Sequence, residues 1–152
     1  MKKLTEQEAL FKLTALCASG EHCQKEMTDK LQRWKIDEQA QARIMQYLIK
    51  ENYIDEQRYC RAFIKSKLIY NKWGRRKIEQ ALYLKQIPSE ISKPIFDEYD
   101  RESYKEVLKP ILEAKKKTIK AESEYERNGK LIRFAIGKGF DMDAIQEVLR
   151  EI

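Results

Sequence analysis

The sequence predicts an all-α protein: three tandem three-helix repeats forming an elongated, curved molecule. Three observations carry this. Glycine and proline are scarce, 5 and 3 in 152 residues, far below the usual share of roughly 12%, so the turns that an all-β chain needs after each short strand are missing. An internal repeat runs through the chain, and such a period marks stacked structural units. Within each repeat, apolar residues recur at helical spacing.

Residues 5–18 form the first helix, with Ala9, Leu10, Leu13, Leu16 and Cys17 on one face and Gly20 placed to end it as a C-terminal cap. Two more helices follow. Met27, Leu31, Ile36, Ala40, Ile44 and Leu48 are spaced i, i+4, then a break, then i, i+4, i+8. The same pattern returns 51 places later at Ile78, Leu82, Ile87, Ile91, Ile95 and Tyr99. A further 53 places on it returns at Leu131, Ala135, Phe140, Ala144, Val148 and Ile152. All eighteen positions are apolar or aromatic, as one helix face, a tight turn and a second helix face require. Each break ends in Asp37, Pro88 or Asp141, residues suited to a turn or helix start.

The second unit opens with a helix over 56–70, carrying Tyr59, Cys60, Phe63, Ile64 and Leu68. Asp55 is its expected cap, and both Asp55 and Glu56 suit the positive helix end. Pro94 falls near the first turns of its helix, with Ser92 as the expected cap. The third unit opens with Tyr104, Val107, Leu108, Ile111 and Leu112, where Pro110 is expected to kink or restart the helix. Lys115 to Tyr125 reads either as a long helix or as a mobile connection. The units are 1–54, 55–100 and 101–152. Each is marginal alone, because about 50 residues bury only some 60% of the unfolded surface, so neighbours stack.

Composition excludes much. No apolar run approaches the roughly 18 residues of a membrane span. The start, Met1 to Glu6, lacks the apolar stretch of a secretory signal, and a cytoplasmic protein is expected. Cys17, Cys23 and Cys60 fit reduced thiols. His22 is the one histidine; with Cys17 and Cys23 it falls short of a four-ligand zinc set. No phosphate-binding glycine loop can be built. The expectation is no catalytic residue, no metal and no cofactor. Cys60 and Trp34 read as core.

Charge is concentrated. The net charge of +6 divides as +1, +3 and +2 over the three units. From Gln57 to Ile78 there is no acidic residue, while Arg58, Arg61, Lys65, Lys67, Lys72, Arg75, Arg76 and Lys77 are all basic. Arg58, Arg61 and Lys65 fall on one helical stripe, opposite Cys60, Ile64 and Leu68. Either a solvated face or a contact surface satisfies that stripe. Lys67 points into the apolar arc and is expected to snorkel outward. Arg75, Arg76 and Lys77 lack nearby acids and favour a contact, with Lys72 and Trp73 beside them; Trp73 could stack on a base or anchor an interface. The second basic run, Lys115-Lys116-Lys117 with Lys120, precedes Glu122, Glu124 and Glu126, which are expected to neutralise it.

These residues resemble the RecX family of bacterial recombinase regulators. The most specific stretch is Asn52 to Leu68, which is similar to the family's Tyr-Leu/Ile-Asp-Asp, Arg-Tyr/Phe-Ala and Phe-Val-x-Ser-Arg-Leu elements. Gly74 to Ile78 resembles its Gly-x-x-x-Ile element, Gln86-Ile87-Pro88 a turn, and Lys138-Gly139-Phe140 with Ile145 and Val148 the closing helical pair. The resemblance implies a curved, nine-helix, non-enzymatic protein. It implies binding to the RecA filament, limiting its growth and inhibiting its ATPase, strand exchange and coprotease activities. The expected contact residues are Arg58, Arg61, Lys65, Lys72, Trp73, Arg75, Arg76 and Lys77, on a monomer. Direct binding to single- or double-stranded DNA by helix-turn-helix-like units is the alternative.

Overall fold

The computed structural model describes residues 3–152; Met1 and Lys2, part of the charged start, lie outside the described residues. Among the described residues there are nine α-helices and no strand: α1 (Glu6–Ser19), α2 (Gln24–Arg33), α3 (Glu38–Lys50), α4 (Glu56–Lys65), α5 (Arg75–Leu84), α6 (Ser89–Phe96), α7 (Arg101–Thr118), α8 (Glu124–Gly137) and α9 (Met142–Glu151). Residues Ser66–Tyr70 continue α4 as a π-helical turn. Thr5, Asp37, Asp55, Asp100, Ser123 and Asp141 each accept a first-turn backbone N–H. Such caps contribute about 1 kcal/mol each.

Fifteen of the eighteen repeat positions are buried, and Ile91, Tyr99 and Ile152 are half-buried. The buried side chains sort into three separate cores. One lies among α1–α3 around Leu13, Leu31 and Leu48, one among α4–α6 around Ile64, Ile78 and Phe96, and one among α7–α9 around Leu112, Leu131 and Val148. Cys23, just before α2, packs into the middle core. The accessible surface is 10042 Å², against about 8,100 Å² for a compact monomer of this mass. Small cores in series explain the excess, and the molecule is elongated.

The repeat extends to backbone conformation. Lys35, Gln86 and Gly139, each one residue before the break, have φ of 59°, 58° and 101°. Two of the three are not glycine, and each accepts the roughly 1–2 kcal/mol penalty of a left-handed L-residue.

Several local expectations change. Gly20 follows α1 in extended conformation, φ 178°, so it is no left-handed cap. Ser92 lies buried inside α6, whose cap position is held by Pro88; the helix starts a turn earlier than a Ser92 cap allows. Pro110 does not restart the helix, because α7 runs through it with Leu108 and Leu112 buried on either side. Lys115 to Tyr125 is neither one helix nor all connection: α7 ends at Thr118 and α8 starts at Glu124.

The joint between the first and second units adds polar contacts to the buried Cys23. The Gln24 amide donates to Glu56 Oε1 at 3.0 Å, Lys85 Nζ donates to Glu26 Oε2 at 3.2 Å, and Arg58 pairs with Glu21. Burial pushes the Glu56 carboxyl above its ordinary value. Burial also acts to raise Glu26, but the Cys23 amide and the Lys85 ammonium bring it below the ordinary value.

The joint between the second and third units is made by backbone. The Gly74 amide donates to the Lys138 carbonyl at 2.7 Å, and the Arg76 amide to the Gly139 carbonyl at 3.1 Å. The Tyr104 hydroxyl adds a bond to the Phe96 carbonyl at 3.1 Å.

Within the third unit, Lys105 of α7 is 8% exposed and meets Glu102, Glu147 and Glu151 at 3.2, 3.2 and 2.8 Å. Its hydrogen bonds to Glu151 and Glu102 raise its pKa, and its bond to Glu151 lowers that carboxyl. A carboxyl lowered on folding stabilises above its unfolded pKa, and that contribution is lost as pH falls through the folded value. Lys105→Met therefore removes the cation that three carboxylates share, leaving Glu147 to Arg101 and Glu151 to Lys109. It is expected to lower the thermal midpoint at about pH 7 and to lower it less in acid, where the contribution of the Glu151 carboxyl is lost; equal losses at both would contradict the network.

Candidate functional site

The basic segment folds as α4, the π-helical turn and the start of α5. The Asn71 amide reaches back to the Ser66 carbonyl at 3.2 Å and the Trp73 amide to the Lys67 carbonyl at 2.9 Å. One residue more per turn than an α-helix widens this stretch, a geometry found often at functional sites. Lys72 takes φ 61° to close the loop. The Gly74 contact with Lys138 then fixes where α5 begins.

The structure divides the predicted cations. Arg58 pairs with Glu21 and donates to the Asn52 and Tyr53 carbonyls. Arg61 grips Glu98 through both carboxylate oxygens, at 2.8 and 2.6 Å. Arg75 meets Glu79 at 2.9 Å and Asp97 at 3.1 Å and lies 5.0 Å from the Phe96 ring centre. Burial acts to lower the Arg75 pKa, yet the Asp97 and Glu79 bonds raise it on balance. The acid-free run is thus partly neutralised by carboxylates from other segments. Lys65, Lys72, Arg76 and Lys77 hold no carboxylate among the described residues, and Lys65, Lys72 and Arg76 are exposed.

Trp73 is half-buried against the middle core. Lys67 and Lys77 place their ammonium groups 4.9 and 4.5 Å from its ring centre. Lys67 therefore does not snorkel clear of the helix; it lies across Trp73 and, at 5.4 Å, Phe63. Each such contact is worth about 0.5–1 kcal/mol at an exposed site. The indole holds two cations over its ring.

Lys138, which the charge pattern missed, joins the same loop, with Nζ 3.5 Å from the Asn71 carbonyl. The signal for it was present only in three dimensions, 67 residues away. The second basic run also differs from expectation. Of Glu122, Glu124 and Glu126, only Glu126 forms an ion pair among the described residues, with Lys130 at 3.3 Å. Lys115 instead lies 4.9 Å from the Phe134 ring centre and Lys116 donates to the Ile152 carbonyl. The turn at 119–123 separates these lysines from α8, so the helical i, i+4 pairing is not available to them.

The thiols belong to packing. Burial pushes Cys23 and Cys60 up to about 11, so neither is a thiolate near neutrality. Cys23 is fully buried, and its amide donates to Glu26 at 3.1 Å. No group of side chains among the described residues is arranged to hold a metal ion. No helix of the described residues is long and apolar enough to cross a membrane.

Comparison with known proteins gives a consistent result. Family models described as the second and third three-helix domains of RecX match residues 55–93 and 102–149. A protein named regulatory protein RecX in Clostridium beijerinckii is 32% identical over 131 residues, covering 85% of this chain and 61% of that relative. One of the same name in Chlorobium phaeobacteroides is 29% identical, covering 97% of this chain and 96% of the relative. The chain spans 61%, 47% and 60% of three other-length relatives, from C. beijerinckii, Oceanobacillus iheyensis and Clostridium botulinum. The crystal structure of RecX from Lactobacillus salivarius has the same fold, with TM-score 0.86 at 20% identity over 96% of this chain and 95% of that one.

Proposed function

The chain belongs to the RecX family of regulatory proteins, and from that premise we propose that it binds RecA nucleoprotein filaments and inhibits them without chemistry of its own. The observation that carries the reading is that Lys65, Lys72, Arg76 and Lys77 of the middle unit hold no carboxylate among the described residues, with Lys77 beside Lys67 on the Trp73 ring. Such a cluster attracts and orients an anionic partner surface. Arg58, Arg61 and Arg75 lie along the same segment, sharing their charge with Glu21, Glu98, Glu79 and Asp97. Units meeting at 54/55 and 100/101 would let one elongated monomer lie across neighbouring protomers. Preference for one filament state over another then shifts the filament equilibrium by the difference in affinity. The setting is the cytoplasm, with DNA within reach of the bound protein and no cofactor required.

The test is RecA ATPase on single-stranded DNA, measured with and without the protein. The expected result is a rate that falls as the protein approaches filament stoichiometry. An unchanged rate at stoichiometric and higher concentration would overturn the proposal.

A further inference from the structure

A cleft of about 380 Å³ lies between the second and third units, beside the α5 N-terminus. Gly139 lines it, and the Arg76 amide donates to the Gly139 carbonyl, so its two sides are joined by main chain. Arg75, Arg76 and Arg101 line it together with Tyr99 and Tyr104. Arg75 is engaged by Glu79 and Asp97, and Arg101 by Asp143 and Glu147 at 3.4 and 3.3 Å. The Tyr104 hydroxyl is spent on the Phe96 carbonyl. The Arg76 side chain and the Tyr99 hydroxyl make no hydrogen bond among the described residues, so the cleft offers a free planar fork of donors beside an aromatic wall.

Charge selects the ligand. Glu79 and Asp141 also line the cleft, and Glu79, Asp97, Asp143 and Glu147 hold Arg75 and Arg101, so Arg76 is the one lining arginine with no carboxylate among the described residues. A nucleic-acid backbone asks for a track of uncompensated cations, matching one charge per about 1.7 Å of duplex. Around this cleft, cations alternate with Glu79, Asp97, Asp141, Asp143 and Glu147. One monoanion with an apolar stem fits, and a guanidinium binds a carboxylate through two parallel hydrogen bonds. We propose that this cleft seats one aspartate or glutamate side chain of a protein partner, with its carboxylate on Arg76 and its methylenes against the tyrosine rings. This rests on the filament-regulator reading for the identity of that partner and on the cleft alone for the ligand chemistry.

The experiment has two arms. In the first, the isotope-labelled chain is titrated by NMR with the peptide acetyl-Gly-Glu-Gly-amide, with its Gln counterpart, and with dimethyl phosphate. The Glu peptide is expected to shift Arg76 Nε–H and the Tyr99 and Tyr104 ring signals in the millimolar range. The Gln peptide and the Arg76→Gln variant are expected to give affinities at least about tenfold weaker, the scale of a charge-assisted bond; dimethyl phosphate, which has the charge but no methylene stem for the tyrosine rings, is expected to bind more weakly than the Glu peptide. In the second arm, Arg76→Gln is expected to bind RecA filaments about tenfold more weakly than the unaltered chain. The Arg76 side chain holds no internal bond, and its amide bond to Gly139 is retained, so the variant folds.

No shift with the Glu peptide, equal shifts with dimethyl phosphate, or undiminished filament binding by Arg76→Gln would each overturn the assignment. If the unaltered chain leaves RecA unaffected while the Glu peptide still binds, the filament reading falls and the carboxylate cleft stands.

Discussion

Gly74→Ala is expected to destabilise the protein by about 3 kcal/mol, the upper end for forced overpacking, and to open the joint between the second and third units. A Cβ at residue 74 would lie 2.5 Å from the Phe140 nitrogen, against backbone that cannot swing away as a side chain can. The units would have to part, and the Gly74 to Lys138 and Arg76 to Gly139 bonds would lengthen or break. Gly139 is constrained from the other side: its φ is 101°, and a Cβ there would sit 2.7 Å from the Lys77 nitrogen. The check is urea unfolding together with amide exchange at residues 74 and 76. A cost below about 0.5 kcal/mol, the scale of ordinary surface changes, with both amides still protected, would contradict the joint as described.

Reversing Lys65, Lys72 and Arg76 together to glutamate is expected to weaken filament binding about 100-fold at low salt while leaving the thermal midpoint near its original value. The three are exposed and hold no carboxylate, so no internal pair is lost. Each reversal replaces an attraction by a repulsion worth about 1 kcal/mol at a wet surface, and about 1.4 kcal/mol is tenfold in affinity. The loss should shrink as salt shortens the Debye length to about 3 Å at 1 M. Binding that survives the triple reversal at low salt would remove these cations from the contact.

The helices and cores were legible because burial imposes a period. Met27, Leu31, Ile78, Leu82, Leu131 and Ala135 announce the same helix face three times, and all six are buried. Asp37, Asp55 and Asp141 announce helix starts, since a carboxylate that caps must sit at the first turn. Two kinds of feature were not legible. Left-handed turns carry no mark when the residue is Lys35 or Gln86 rather than glycine. Charge pairing across the fold is invisible to a linear scan: the acid-free stretch from 57 to 78 receives Glu21, Glu98 and Asp97 from outside it. The same limit hid Lys138 and the inter-unit cleft, which exist only because two glycines bring separate units into backbone contact.

Hydrogen exchange of this protein, free and bound to RecA filaments on single-stranded DNA, addresses the contact surface itself. Protection on binding is expected across residues 65–77 and at Lys138 and Gly139, with α1 and the exposed face of α3 little changed. Protection confined to α1–α3, with residues 65–77 exchanging as in the free protein, would contradict a middle-unit cationic contact.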